Sequence, residues 1–177
     1  MKHKGFTLVE LLVSIALISI ISGISLANYT DIRTSAQMES DVNRVVIALR
    51  DAQSKALSPN RDDYTPEGLA GSESLCGISV QFSGMGLTAN QFRAGYTSAI
   101  GDCSSANTIY TDTFELENAE IVTSSQSITY TTPFGNPVIS PGLPAGIDRT
   151  QIVIRSTQDT SITRVIDVYE SGLIDVQ

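Results

Sequence analysis

Residues Phe6 to Ala27 form 22 consecutive positions with a single charge, Glu10, behind the basic leader Met1-Lys2-His3-Lys4-Gly5. Coiled as a helix, this stretch spans about 33 Å, matching a hydrocarbon core of about 30 Å. Lys2 and Lys4 set its start on the cytoplasmic side, so the rest of the chain faces outward. A cleaved secretory signal has an apolar centre of only about 7–15 residues and then a small-residue cleavage box. Here the run is longer, and Asn28-Tyr29-Thr30-Asp31 is no clear box. The stretch therefore reads as a retained anchor, which makes its one carboxylate informative.

Two readings of Glu10 stand together. Thr7-Leu8-Val9-Glu10 fits the capping box, with Thr7 as N-cap and Glu10 bonding back. That explains the acid locally. Alternatively, Glu10 takes a cation from another molecule, such as the amine freed by a cut after Gly5. A carboxylate near a span's end costs less than the roughly 2.5–3.5 kcal/mol of one at its centre.

The segment Lys4-Gly5-Phe6-Thr7-Leu8-Val9-Glu10-Leu11-Leu12-Val13 resembles the class III signal of type IV pilins and type II secretion pseudopilins. The resemblance implies a prepilin peptidase that cuts between Gly5 and Phe6 and methylates the new N-terminus. It implies that Glu10 meets the terminal amine of an adjacent subunit during assembly. It implies further partners: other pilin or pseudopilin subunits, an inner-membrane assembly platform and membrane lipid. The location implied is the bacterial inner membrane, single-pass with the C-terminal domain outside the cytoplasm, and a filament after assembly. One departure is plain. Many major pilins carry a proline late in the apolar segment, whereas Ala27 stands near that place here, and Gly23 is the weak point.

Beyond the anchor, Ile32, Ala36, Met38, Val42, Val45, Val46, Leu49, Ala52 and Ala56 recur near a 3.6 period. Asp31, Glu39, Asp41, Arg44, Arg50, Asp51 and Lys55 are expected on the opposite face, Asp51 and Lys55 as an i,i+4 pair. Ser58-Pro59-Asn60 stops the helix. One helix from about Thr7 to about Leu57 is expected, about 75 Å long and suited to a stalk. A polar linker follows to Ser74. Its acids Asp62, Asp63 and Glu67 lack calcium-loop spacing and read as a solvated loop.

Strand signals then dominate. Cys76–Phe82 alternates, Phe92–Ser98 is shorter, and Thr113–Val122 sets Phe114 and Leu116 against Glu115, Glu117 and Glu120. Glu115 and Glu117 would share a wet strand face. Hydrolytic carboxylates instead oppose each other across a cleft at roughly 5 Å. Ser127–Thr132 is a further strand. Pro133 to Pro144 holds four of the six prolines and reads as a stiff exposed loop. Gln151–Ser156 follows, then Ile162–Tyr169 and Leu173–Val176 around the turn Ser171-Gly172. The fold class is α+β: a long N-terminal helix packed on an antiparallel β-sheet head of six to eight strands. The domains expected are 1–5 leader, 6–27 transmembrane and assembly helix, 28–58 amphipathic stalk and 59–177 head. Residues 30–177 resemble, by layout, the H-type minor pseudopilins of type II secretion and related minor pilins. The likeness rests on Ala48-Leu49-Arg50-Asp51-Ala52-Gln53, the Cys76–Phe82 strand and the closing hairpin with Gly172.

Chemistry is scarce. The only histidine, His3, lies in the leader, so a processed chain has no Ser-His-Asp or Cys-His machinery and no histidine zinc site. Gly84-Met85-Gly86-Leu87 is too short for a phosphate loop and lacks the lysine. Neither enzyme activity nor a cofactor is expected. The net charge of −8 argues against nucleic acid as a main partner. Cys76 and Cys103 are either two thiols, Cys76 serving as one more apolar strand residue, or a disulfide permitted by export. The structural-subunit reading leads. A membrane-tethered adhesin or DNA-uptake tip module, binding through 133–146 or 60–74, is the alternative.

Overall fold

A computed structural model describes residues 7–59, 73–82, 87–100, 103, 106–123, 126–144 and 146–177. Side chains are not described for residues 24–31, 73 and 100. The fold is α+β. A single helix, α1 (Leu8–Leu57), runs for 50 residues, with Thr7 as its N-cap. It ends at Ser58, whose N–H donates to the Ser54 carbonyl at 3.1 Å, ahead of Pro59.

Only the second half of α1 packs on the head. Met38, Val42, Val45, Val46, Leu49, Ala52 and Ala56 are buried. The buried stripe starts later than the sequence pattern suggests, because Ile32 is 68% exposed and Ala36 is exposed as well. Nine strands are described: β1 (Glu73–Phe82), β2 (Gln91–Ile100), β3 (Asn107–Glu115), β4 (Ala119–Ile121), β5 (Gln126–Thr131), β6 (Pro137–Ser140), β7 (Arg149–Ser156), β8 (Thr163–Tyr169) and β9 (Ile174–Val176). They form two sheets, β3-β2-β1-β5-β6 and β4-β7-β8-β9. Neighbouring strands pair antiparallel throughout. Helix α1 touches β1, β5 and β7, so it spans both sheets. One core results, with Ile78, Val80, Phe82, Phe92, Ile128 and Tyr130 from the larger sheet and Ile152, Ile154, Ile166 and Val168 from the smaller.

Two strand expectations are corrected. Thr113–Val122 is not one strand. Its first part belongs to β3 and its last to β4, with a break at Leu116–Asn118 where the chain passes between sheets. Glu115 therefore ends β3 while Glu117 lies outside any strand, and the expected shared face does not form. Each acid has its own partner: Gln91 for Glu115, Arg44 for Glu117 and Arg155 for Glu120. The proline-rich stretch also contains a strand. Four of its residues form β6, whose Ile139 is buried. Prolines are tolerated there because β6 is a sheet edge and needs donors on one side only. The closing hairpin turns at Gly172, whose φ of 86° favours glycine; its N–H donates to the Tyr169 carbonyl at 2.9 Å.

Cys76 and Cys103 are bonded in the structure, tying β1 to the β2–β3 connection with Cα atoms 5.6 Å apart. Tyr130 is the largest fully buried side chain among the described residues, and burial pushes its phenol up from the ordinary range. Its hydroxyl has no hydrogen-bond partner among the described residues.

Leu49→Ala should destabilise the head by about 2–5 kcal/mol through lost burial and a cavity. Ile47→Ala, on the exposed side of the same turn, should stay within about 0.5 kcal/mol. Denaturant titration of the full chain in detergent micelles measures both, and equal effects would contradict this packing. In the same assay Tyr130→Phe should raise stability by about 1–3 kcal/mol, because it removes a buried polar group without a partner.

Candidate assembly site

The start of α1 sets the site's geometry. Thr7 is extended, with φ −79° and ψ 150°, and its Oγ1 accepts from the Glu10 N–H at 3.2 Å. The Leu11 N–H donates to the Thr7 carbonyl, also at 3.2 Å. The first bond satisfies an N–H group that a helix start otherwise leaves open, and the second is the first of the helix's own bonds. Glu10 is the acid of the first turn, where the helix dipole favours negative charge. Its side chain is exposed. Gly5 and Phe6 lie outside the described residues.

After Glu10 the helix is apolar on every side and exposed on every side. Leu8 is 75% exposed, and Val9, Leu11, Leu12, Val13, Ile15, Leu17, Ile18, Ile20 and Ile21 are all more than half exposed. Ser14 and Ser19 turn their hydroxyls inward, each donating at 2.8 Å to the carbonyl four residues back, Glu10 and Ile15. Their polar groups are thereby satisfied within the helix. Among the described residues no helix is long and apolar enough to cross a membrane. The described side chains of this half end at Gly23, about 22 Å along the axis from Leu8. The expected span of 6–27 runs past both ends of that stretch. An exposed apolar rod of this kind needs lipid or partner helices around it.

At its other end the rod is clasped to the head. Asp41 is only 1% exposed, within the buried stripe rather than on the polar face expected for it. Its carboxylate accepts from the N–H groups of Glu117 (3.3 Å) and Asn118 (2.8 Å), the break between β3 and β4. Arg44, one turn on, donates to the Glu117 carboxylate at 2.8 Å and to the Glu115 carbonyl at 3.2 Å. Glu39 accepts from Arg164 of β8 at 2.9 Å. Within two turns of α1, Asp41 and Arg44 thus hold the break between the sheets and Glu39 reaches β8. The phase of the stripe carried the signal for Asp41: position 41 falls between Met38 and Val45 on the same face. Asp51 and Lys55 do form their pair, at 2.8 Å and half exposed.

A cleft of about 680 Å³ opens on the head beside the β6–β7 connection, lined by Leu143, Pro144, Ile147, Gln126, Arg149 and Thr150 among others. Arg149 donates to the Tyr169 hydroxyl at 3.0 Å, and that bond, with buried Asp167 beside it, holds the guanidinium further above its ordinary range. Among the described residues no group of three or more His, Cys, Asp or Glu side chains is placed to hold a metal. Asp62, Asp63 and Glu67 lie outside the described residues, as does most of the 60–74 linker.

A family model for the prokaryotic N-terminal methylation motif matches residues 1–26. The matched stretch contains Gly5, Phe6, Thr7 and Glu10. No curated protein and no solved structure matches the chain.

Asp41→Ala should leave two partly buried N–H groups without their acceptor and cost about 1 kcal/mol. Asp41→Asn, which keeps one acceptor oxygen, should recover part of that. Hydrogen exchange at the amides of Glu117 and Asn118, followed beside denaturant unfolding, should speed up most in the alanine variant. Unchanged exchange at both amides would remove the clasp from the account.

Proposed function

We propose that the chain is a structural subunit of a pilin-like filament, made as a membrane-anchored precursor and assembled through α1. The observation that carries this reading is the methylation motif at residues 1–26 leading into an α1 whose first half exposes apolar side chains all round, with one carboxylate in its first turn. In this reading prepilin peptidase cuts between Gly5 and Phe6 and methylates Phe6. Residues 6–27 hold the subunit in the inner membrane and then pack against neighbouring helices. Hydrophobicity gains little between helices already in lipid, so register falls to packing and to a polar pair. Glu10 supplies the negative partner and the Phe6 amine of the next subunit the positive one. The head stays outside the cytoplasm, and the Cys76–Cys103 bond is kept in that oxidising compartment. Its role is structural, without catalysis.

The late-proline gap at Ala27 and the layout of residues 30–177 favour a minor subunit of the H-type over a major one. The choice among type II secretion, type IV pilus and competence machines rests with the genes beside this one. The 680 Å³ cleft beside the β6–β7 connection favours a second reading, a tethered adhesin or uptake-tip module using the same export route.

Mass spectrometry of the protein from its native cells should find a methylated N-terminus at Phe6. Gly5→Asp should leave the leader attached, and Glu10→Ala should be processed normally yet fail to enter filaments. An intact leader on the unaltered protein would end the proposal. Filament entry of Glu10→Ala at the normal level would remove Glu10 from assembly while leaving the processing claim standing.

A further inference from the structure

We infer that the edge of β3, which pairs with no strand among the described residues, is a strand-addition site for an extended, basic segment of a different protein. The two sheets have four edges: β3 and β6 on the larger, β4 and β9 on the smaller. Three are blunted. β4 and β9 are three residues each, and β6 is four, with Pro137 at its start and Pro141 just after it. Short strands and prolines are the usual means of closing an edge to further pairing. β3 has neither. It runs nine residues, Asn107–Glu115, without proline, and eight of them are exposed.

The strand is shaped to receive a partner. Alternate residues of an edge strand direct their N–H and C=O groups away from the sheet. Ile109 and Phe114 are 39% and 40% exposed, and Phe114 is held by stacking on Phe92 at 4.9 Å. The register with β2 shifts at Ala94/Gly95, which leaves Thr111 as an extra residue and divides the edge into 107–110 and 112–115. Main-chain bonds along each half supply affinity, and the side chains supply selectivity.

Charge decides the occupant. Asp112 and Glu115 are the ionised side chains of β3. Three cations lie nearby, and each is committed elsewhere: Arg93 to Gln81 and to the Tyr110 ring, 3.9 Å from its centroid, Arg44 to Glu117 and the Glu115 carbonyl, and Lys55 to Asp51. A second copy pairing antiparallel over 112–115 sets Asp112 against Glu115 twice, and like charges directly opposite each other are destabilising. The edge is therefore guarded against its own copy and complementary to a strand bearing Lys or Arg. This site lies on the head and asks nothing of the leader or Glu10, so its test stands apart from that of filament assembly.

The probes are two acetylated eight-residue peptides, one alternating valine with lysine and one alternating valine with glutamate. They are added to the full chain in detergent micelles, and amide exchange is followed across the molecule. The lysine peptide should slow exchange at alternate amides of 107–115, and the glutamate peptide should not. Asp112→Asn with Glu115→Gln should weaken the lysine peptide. Asp112→Lys with Glu115→Lys should weaken it by about tenfold and admit the glutamate peptide, with exchange in β1 and β5 unchanged as the check on folding. The inference is overturned by no slowing in β3 with either peptide, by equal slowing with both, or by slowing at another edge instead. It is equally overturned by β3 protection that rises with chain concentration in the absence of peptide, which would make the occupant a second copy.

Discussion

A single helix that must satisfy two different surroundings governs this molecule. Along its second half, α1 buries one stripe, Met38 to Ala56, against both sheets. Along its first half no described side chain is buried, and apolar side chains point outward on every side. Removing apolar surface from water is worth about 25 cal/mol per Å², so the first half draws the protein toward lipid or other helices. The second half gains the same kind of energy inside the chain. The unbroken backbone between them fixes where the head stands relative to that rod.

That arrangement gives the polar clasp its importance. A hydrophobic stripe on a helix tolerates sliding and rolling, because burial is non-directional. Hydrogen bonds from Glu117 and Asn118 to Asp41 do not, since they weaken steeply with angle. The ion pairs Arg44–Glu117 and Arg164–Glu39 are exposed and each contributes little. Their value is positional: one reaches the seam between the sheets and the other reaches β8. Asp41 sits where the chain leaves one sheet for the other, so a single buried carboxylate orders the crossing and the docking together.

Much of this was legible in the sequence, and the failures have physical causes. The helix ends, the β1 and β7 alternations and the Gly172 turn follow from short-range chemistry: a Thr cap, a Ser-Pro stop, a period of two, a glycine at positive φ. The first part of β3 was missed because Asn107–Asp112 shows no apolar alternation; it is held by pairing to β2 and exposed along nearly all its length. The break at 116–118 was missed because its cause, Asp41, lies 76 residues away. β6 was read as loop because proline content disfavours sheet interiors, and its place at an edge is a tertiary fact. At the candidate site the motif points to Gly5, Phe6, Thr7 and Glu10, of which Thr7 and Glu10 lie among the described residues. The clasp was not named, because a charged residue inside an apolar stripe reads first as an interruption.

Of the expected capping box only the Thr7 half is seen among the described residues, which leaves the Glu10 carboxylate for its other reading. The N-cap is closed by Thr7 Oγ1 on the Glu10 N–H, a bond that uses the backbone of residue 10 and not its carboxylate. The leader ends at Gly5 in the proposed cut, so Thr7 would be the second residue of the mature chain and the cap would survive processing. The helix start then presents its partial positive charge beside a new amine, with Glu10 one turn further along. Within one subunit the carboxylate offsets the dipole, and in a low-dielectric setting an unpaired charge of either sign is costly. Two such helices, staggered by about one turn, would place each amine near a neighbour's carboxylate and relieve both charges at once. The same residue that makes the rod expensive to keep alone in lipid would therefore make it specific in company.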